Sequence, residues 1–300
     1  MKNTKNPLKN MFPGLEKERT THNLGKIGIQ NTHSEQKKAM DDELRKELDR
    51  RYSEINTDAV VKLVKKGADP NLGLDENNTP LHVAAAFGSP EHIDALLLSG
   101  ANINAQNIEG QTPLHIAIMQ ANLKAVTRLL EKNADMSIQT RDNDALHLTV
   151  ERGFPEAAHE LIKHGAIKNG LGQGKTPAIF IAARNNNPYL VNLLVKNGMD
   201  PNMPFPGSQR KEFFDTPLHY AVRRGSVESA EVLLKLGADP WLKDFNGNTA
   251  LQYINSKKGA KTINDHGSMA ALAKYMRRKR KSETIIGFLK RRSGLFEKSE

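Results

Sequence analysis

Ten histidines, a glycine-rich segment ending in Lys175-Thr176 and two basic clusters are the parts of this 300-residue chain whose residue types could do chemistry. Gly170-Leu171-Gly172-Gln173-Gly174-Lys175-Thr176 invites reading as a phosphate loop, in which backbone N–H groups cradle phosphate oxygens and a lysine reaches the terminal phosphates. The spacing fails, because that loop needs a glycine five positions before Gly174 and Asn169 stands there. No apolar strand precedes it, so the segment reads as a glycine-rich loop. His159 and His164 are five apart, whereas metal ligands on one helical face are three or four apart. Zero cysteines exclude thiol nucleophiles, disulfides and cysteine metal sites. No serine, histidine and acid can be argued into one catalytic group. The sequence therefore points away from an enzyme and calls for no metal and no cofactor.

The net charge of +10 suggests a polyanionic partner until it is located. Residues 1–40 hold 8 Lys/Arg against 3 Asp/Glu, and residues 274–300 hold 10 against 3, leaving 26 against 28 for the body. The basicity belongs to the tails. In the carboxy-terminal tail, Ile285, Ile286, Phe288, Leu289, Leu295 and Phe296 share one helical face between Arg277-Arg278-Lys279-Arg280-Lys281 and Lys290-Arg291-Arg292. Such a basic amphipathic segment suits an anionic membrane or nucleic acid, and its first cluster suits a nuclear import receptor. A simpler reading is favoured, a last helix whose apolar face caps the body. Lys290-Arg291-Arg292-Ser293 also matches a basophilic-kinase site, a short pattern that arises often by chance.

The elements behind these residues are set by repetition. Thr79-Pro80-Leu81-His82 returns as Thr112-Pro113-Leu114-His115, Asp144-Ala145-Leu146-His147, Thr176-Pro177-Ala178-Ile179, Thr216-Pro217-Leu218-His219 and Thr249-Ala250-Leu251-Gln252. The steps are 33, 32, 32, 40 and 33 residues, a fixed period with one insertion. A second landmark, Gly67-Ala68-Asp69-Pro70-Asn71, recurs as Gly100-Ala101-Asn102-Ile103-Asn104, Asn133-Ala134-Asp135, Gly165-Ala166, Gly198-Met199-Asp200-Pro201-Asn202 and Gly237-Ala238-Asp239-Pro240. The histidines His82, His115, His147 and His219 occupy one repeat position, so they are spread along the chain's axis rather than converging.

One unit explains the residue types. Thr-Pro is a helix start: the hydroxyl caps a free N–H and proline fills the first position without losing a needed donor. Gly88-Ser89-Pro90 is a tight turn into a second start, and Gly100 ends that second helix in the left-handed region. Apolar pairs stand at one offset before each terminator: Leu63/Val64, Leu96/Leu97, Leu129/Leu130, Leu161/Ile162, Leu194/Val195 and Leu233/Leu234. A single unit cannot bury such a stripe alone.

By these landmarks and this period, residues 41 to 280 resemble the ankyrin repeat family. The resemblance implies an all-α repeat solenoid in which each unit is a beta-turn finger plus two antiparallel helices. It also implies a structural hydrogen-bonding role for the repeated histidines and protein binding along finger tips and inner helices. We expect about seven helix pairs, caps included. The expected domains are a basic, largely disordered leader over 1–40, the array over 41–273 from a helix beginning near Met40, and the basic amphipathic segment over 274–300.

One finger is exceptional. Pro204 to Phe214 makes it about seven residues longer than its siblings, and it carries Phe205, Arg210, Lys211, Phe213 and Phe214. Trp241, the only tryptophan, takes the place of Asn71, Asn104 and Asn202, with Phe245 close by. Side-by-side fingers should bring these aromatics together, either as a partner hot spot or as a staple that packs the long finger onto itself. We take these seven residues as the candidate partner-binding set. The protein partner itself is not readable, and a monomer is expected. No apolar run spans a membrane and no signal-peptide pattern opens the chain, so an intracellular, soluble, cytoplasmic or nuclear protein is expected. Lys- and Asn-rich usage also fits an effector of an intracellular bacterium acting in a host cell.

Overall fold

The computed structural model describes residues 34–48, 56–73, 76–140, 143–167, 176–206, 214–255 and 270–278. The glycine-rich segment 168–175, Arg210, Lys211, Phe213 and the tail from Lys279, with Arg280, Lys281, Arg291 and Arg292, lie outside them. Fourteen helices occur among the described residues: α1 (34–48), α2 (Thr57–Lys65), α3 (Pro80–Phe87), α4 (Pro90–Leu98), α5 (Pro113–Met119), α6 (Leu123–Glu131), α7 (Ala145–Glu151), α8 (Pro155–Lys163), α9 (Ala178–Arg184), α10 (Pro188–Lys196), α11 (Pro217–Arg224), α12 (Val227–Lys235), α13 (Ala250–Asn255) and α14 (270–278). They make seven pairs in two layers. One layer stacks α3, α5, α7, α9, α11 and α13, and the other stacks α2, α4, α6, α8, α10 and α12. Among the described residues the fingers contribute only two isolated β-bridges, Thr140 with Asn143 and Lys243 with Thr249.

The apolar landmarks make a continuous core. Leu81, Leu114, Leu146, Ile179 and Leu218 of one layer and Leu96, Leu129, Leu161, Leu194 and Leu233 of the other are all fully buried. Each such side chain stabilises the stack by about 2 kcal/mol through removal from water. The alanines around them, Ala84, Ala117 and Ala182, are also fully buried, which lets the helices approach closely.

The caps form as the residue types demand. Thr112 and Thr216 are extended at the N-cap with proline next, and their hydroxyls accept from the backbone N–H of His115 and His219. The terminators take positive φ, 115° at Gly67 and 61° at Asn133, asparagine being the side chain that best tolerates this region after glycine.

Three expectations need correction. Helical backbone already runs from residue 34, ahead of Met40. Residues 34–39 are exposed and carry no apolar period, but Glu35, Gln36, Lys37, Lys38 and Ala39 are strong helix formers. In the fourth unit, Thr176-Pro177 does not place the proline inside the helix: Pro177 is itself the N-cap, with φ −54° and ψ 143°, and α9 starts at Ala178. Ile179 stands where four other units have histidine and the last has Gln252, so its side chain offers no bond back to hold Thr176 as the cap. His164, too, falls at the C-cap of α8 and not within it.

Candidate partner-binding site

The repeated histidines lock each finger to the next. Nδ1 of His82, His115 and His219 accepts from the backbone N–H of the capping threonine at 3.1, 3.2 and 3.2 Å. This fixes the proton of the neutral ring on Nε2, which donates to the Gln111 carbonyl from His82 at 3.0 Å and to the Asn248 carbonyl from His219 at 3.1 Å. His147 reaches the Thr176 carbonyl at 3.0 Å, with Asp144 as its cap. Burial holds His82 and His219 below the ordinary imidazole value, opposed only in part by these carbonyls. Burial lowers His115 to about 4, only partly opposed by the Asp144 charge and the Ile138 backbone, and its Nε2 has no partner in hydrogen-bond geometry among the described residues.

A second ladder runs through the asparagines. Asn71 donates to the Gly100 carbonyl at 3.0 Å and accepts from the Asn102 N–H at 2.7 Å. Asn202 repeats this toward Gly237 and Asp239, at 3.1 and 2.7 Å. Trp241 takes this position in the last finger among the described residues. It is half-buried, and its backbone N–H donates to the Asp239 carboxylate at 2.8 Å.

These ladders give the long finger a rigid base. The Phe205 N–H donates to the Asp215 carbonyl at 2.9 Å, and the Phe214 N–H donates to the Lys243 carbonyl at 3.0 Å. The Phe205 ring turns inward. It stacks on Tyr220 of α11 (5.5 Å, 13°) and meets the edge of Phe180 of α9 (5.2 Å, 87°), while Phe180 meets Tyr220 at 5.1 Å. Phe180 and Tyr220 were missed by the sequence reading; a fully buried phenylalanine in an apolar run gives no hint of its finger contact. Phe214 is half-buried, and Phe245 is 55% exposed on the tip of the last finger.

Arg223 of α11 ties these parts together. It pairs with Asp215 at 2.9 Å, approaches the fully buried Asp244 at 3.8 Å, and lies over the rings of Tyr220 and Tyr253 at 5.0 and 5.5 Å. The Tyr253 hydroxyl donates to Asp244. Burial opposes the Arg223 charge, but the Asp215 hydrogen bond and charge with Tyr253 more than offset it and raise its pKa. Asp244 in turn builds the last finger tip: its carboxylate accepts from the Asn246 and Asn248 N–H groups, both at 2.9 Å, so Phe245 is carried on a fixed turn.

Arg277 and Arg278 end α14, and its Leu272, Ala273 and Met276 are buried. No group of three or more histidine, aspartate and glutamate side chains that could hold a metal occurs among the described residues. No described helix is long and apolar enough to cross a membrane.

Stacked helix pairs with finger ladders of histidine and asparagine define a helical repeat solenoid. The family description "Ankyrin repeats" matches residues 52–142, 136–205 and 179–244, and the chain belongs to the ankyrin repeat family. Among curated proteins it is 29% identical over 219 residues to the B-cell lymphoma 3 protein homolog of Mus musculus, covering 71% of this chain and 40% of the relative. The chain thus spans well under half of that relative's length. Among solved structures it resembles the ankyrin repeat domain of Bcl-3 (TM-score 0.57, 25% identity, 69% of this chain and 92% of that one). It also resembles the human ASB11 ankyrin repeat domain (TM-score 0.58, 23% identity, 72% and 92%), a likeness of fold alone. Ankyrin repeats are in general protein-interaction modules, and the fold is in general a non-catalytic scaffold.

Proposed function

We propose that the chain binds a partner protein through its finger tips and the concave helical layer, without catalysing a reaction. The observation that carries this reading is the display of large apolar side chains on fixed tips. Ile108 is 68% exposed and Phe245 is 55% exposed. Both sit on turns closed by buried side chains: Asn107 accepts from Glu109 and Gln111, as Asp244 does from Asn246 and Asn248. Exposing such groups on a rigid support gains nothing for folding and suits the centre of an interface. Phe214, whose N–H donates to the Lys243 carbonyl of the last described finger, is counted with them.

The test is affinity capture with the intact chain, with Ile108→Ser, with Phe245→Ser, and with residues 204–212 deleted. A partner lost from a tip variant whose melting temperature is unchanged supports the reading. Capture untouched by all three changes contradicts it.

A further inference from the structure

The position eight residues after each landmark Thr or Asp, the last of its helix or the C-cap just beyond, is occupied in order by Phe87, Gln120, Arg152, Arg184 and Arg224. Phe87 is 46% exposed, Arg152 and Arg224 are exposed, and Arg184 is half-buried. The three arginines stand on neighbouring helices α7, α9 and α11, which pack in one layer. None of them forms an ion pair with a carboxylate of the described residues, whereas Arg223, next to Arg224, is consumed by Asp215 and two tyrosine rings. Two acids at this end of the stack, Glu151 and Glu228, accept hydrogen bonds from Asn143 and Asn186. The helix ends are fixed relative to one another, because Ser226 Oγ donates to the Arg184 carbonyl at 3.1 Å and the Ser229 N–H donates to Asn186 at 3.2 Å. On a body that carries 26 basic against 28 acidic residues, this row is a local concentration of unpaired positive charge.

We propose that Arg152, Arg184 and Arg224 read an extended acidic segment of a partner protein, with carboxylates three residues apart. Packed helices stand about 10 Å apart, and a polyproline-II segment advances about 3.1 Å per residue with three residues per turn, so acids at every third position share one face and meet one arginine per unit. Phe87, two units before Arg152, offers a contact for an apolar side chain about six residues further along the same segment. The inference rests on reading the array as a protein-binding module and supplies the chemistry of its partner. Nucleic acid is disfavoured, since its phosphates repeat at a much shorter interval than the arginines.

The experiment measures fluorescence anisotropy of two labelled peptides of equal composition on the full chain, one with Glu at i, i+3 and i+6 and one with the three Glu adjacent. The spaced peptide should bind about tenfold more tightly, each single Arg→Gln change at the row should weaken it about threefold, and R152E/R184E/R224E should abolish binding. Arg223→Gln is not used, because its loss perturbs folding. Circular dichroism melts certify that the row variants remain folded; should the triple variant fail to fold, the three single changes decide. Equal binding of the two peptides, or tighter binding of a single-stranded oligonucleotide, would reduce the row to a general anion face and overturn the assignment. Absence of peptide binding would do the same. Lysate capture that survives R152E/R184E/R224E but is lost with the finger-tip variants would overturn this inference while leaving the module reading intact.

Discussion

His82 Nε2 lies 3.0 Å from the carbonyl of Gln111, 29 residues further along the chain, and the same offset joins His147 to Thr176 and His219 to Asn248. A residue type that suggests catalysis is therefore spent on bonding one finger to the next.

The pH dependence follows from the sign of these shifts. Folded His82, His115 and His219 bind protons less readily than in the unfolded chain, where the value is near 6.5. The unfolded chain thus takes up more protons as the solution is acidified, so the stabilisation is complete above about pH 6.5 and fades as pH falls below it. His115 alone, lowered to about 4, contributes about 3 kcal/mol in this way. Thermal melts should fall steeply between pH 7 and pH 4, and a flat profile over that range would refute the neutral ladder.

Replacing His82 by alanine strands the Thr79 N–H and the Gln111 carbonyl together. A loss of about 2–4 kcal/mol is expected in urea unfolding. His115→Ala strands only one group and should cost less.

Asn202→Ala removes both bonds to the following finger, those to Gly237 and Asp239. We expect a loss of about 1–2 kcal/mol, and faster amide exchange at Asp239 than elsewhere in the last finger.

Phe205 and Phe245 should separate packing from binding. Phe205→Ala empties the space between Phe180 and Tyr220 and should destabilise by about 2–3 kcal/mol, less than for a fully buried ring. Phe245→Ala should leave the melting temperature within about one degree, since its ring is mostly in water. Equal melts for the two variants would contradict the inward staple.

Arg223→Ala leaves the fully buried Asp244 with Tyr253 but no nearby guanidinium. About 2–3 kcal/mol should be lost, and Asp244→Asn in the same chain should recover part of it.

Most of the architecture was legible because the ankyrin unit writes its bonds at fixed offsets: the Thr-Pro cap, the histidine three residues on, the left-handed terminator and the bridging asparagine are each local in sequence. What was not legible is set by stacking. Phe180 and Tyr220 stand 40 residues apart and meet only because units four and five pack side by side around the root of the long finger. Arg223 next to Arg224 looks like one basic pair, yet helical geometry sends the first to Asp215 and leaves the second exposed. The early start of α1 escaped because an exposed turn needs propensity alone and shows no apolar rhythm.

The 32-residue step from Thr112 to Asp144 breaks the rhythm at a definite place. At the usual offset from His115 it sets Asp144, whose carbonyl already accepts from Leu148 inside α7. The fourth unit avoids the same fate because Pro177 takes over the cap, 33 residues after Asp144, and frees the Thr176 carbonyl for His147. In a stack whose cohesion passes only between adjacent units, the boundary after His115 lacks the histidine bond found at its neighbours, while the Asp135 N–H still donates to Asn104 across it at 2.9 Å, so the finger ladder is interrupted there and the helix layers carry the continuity.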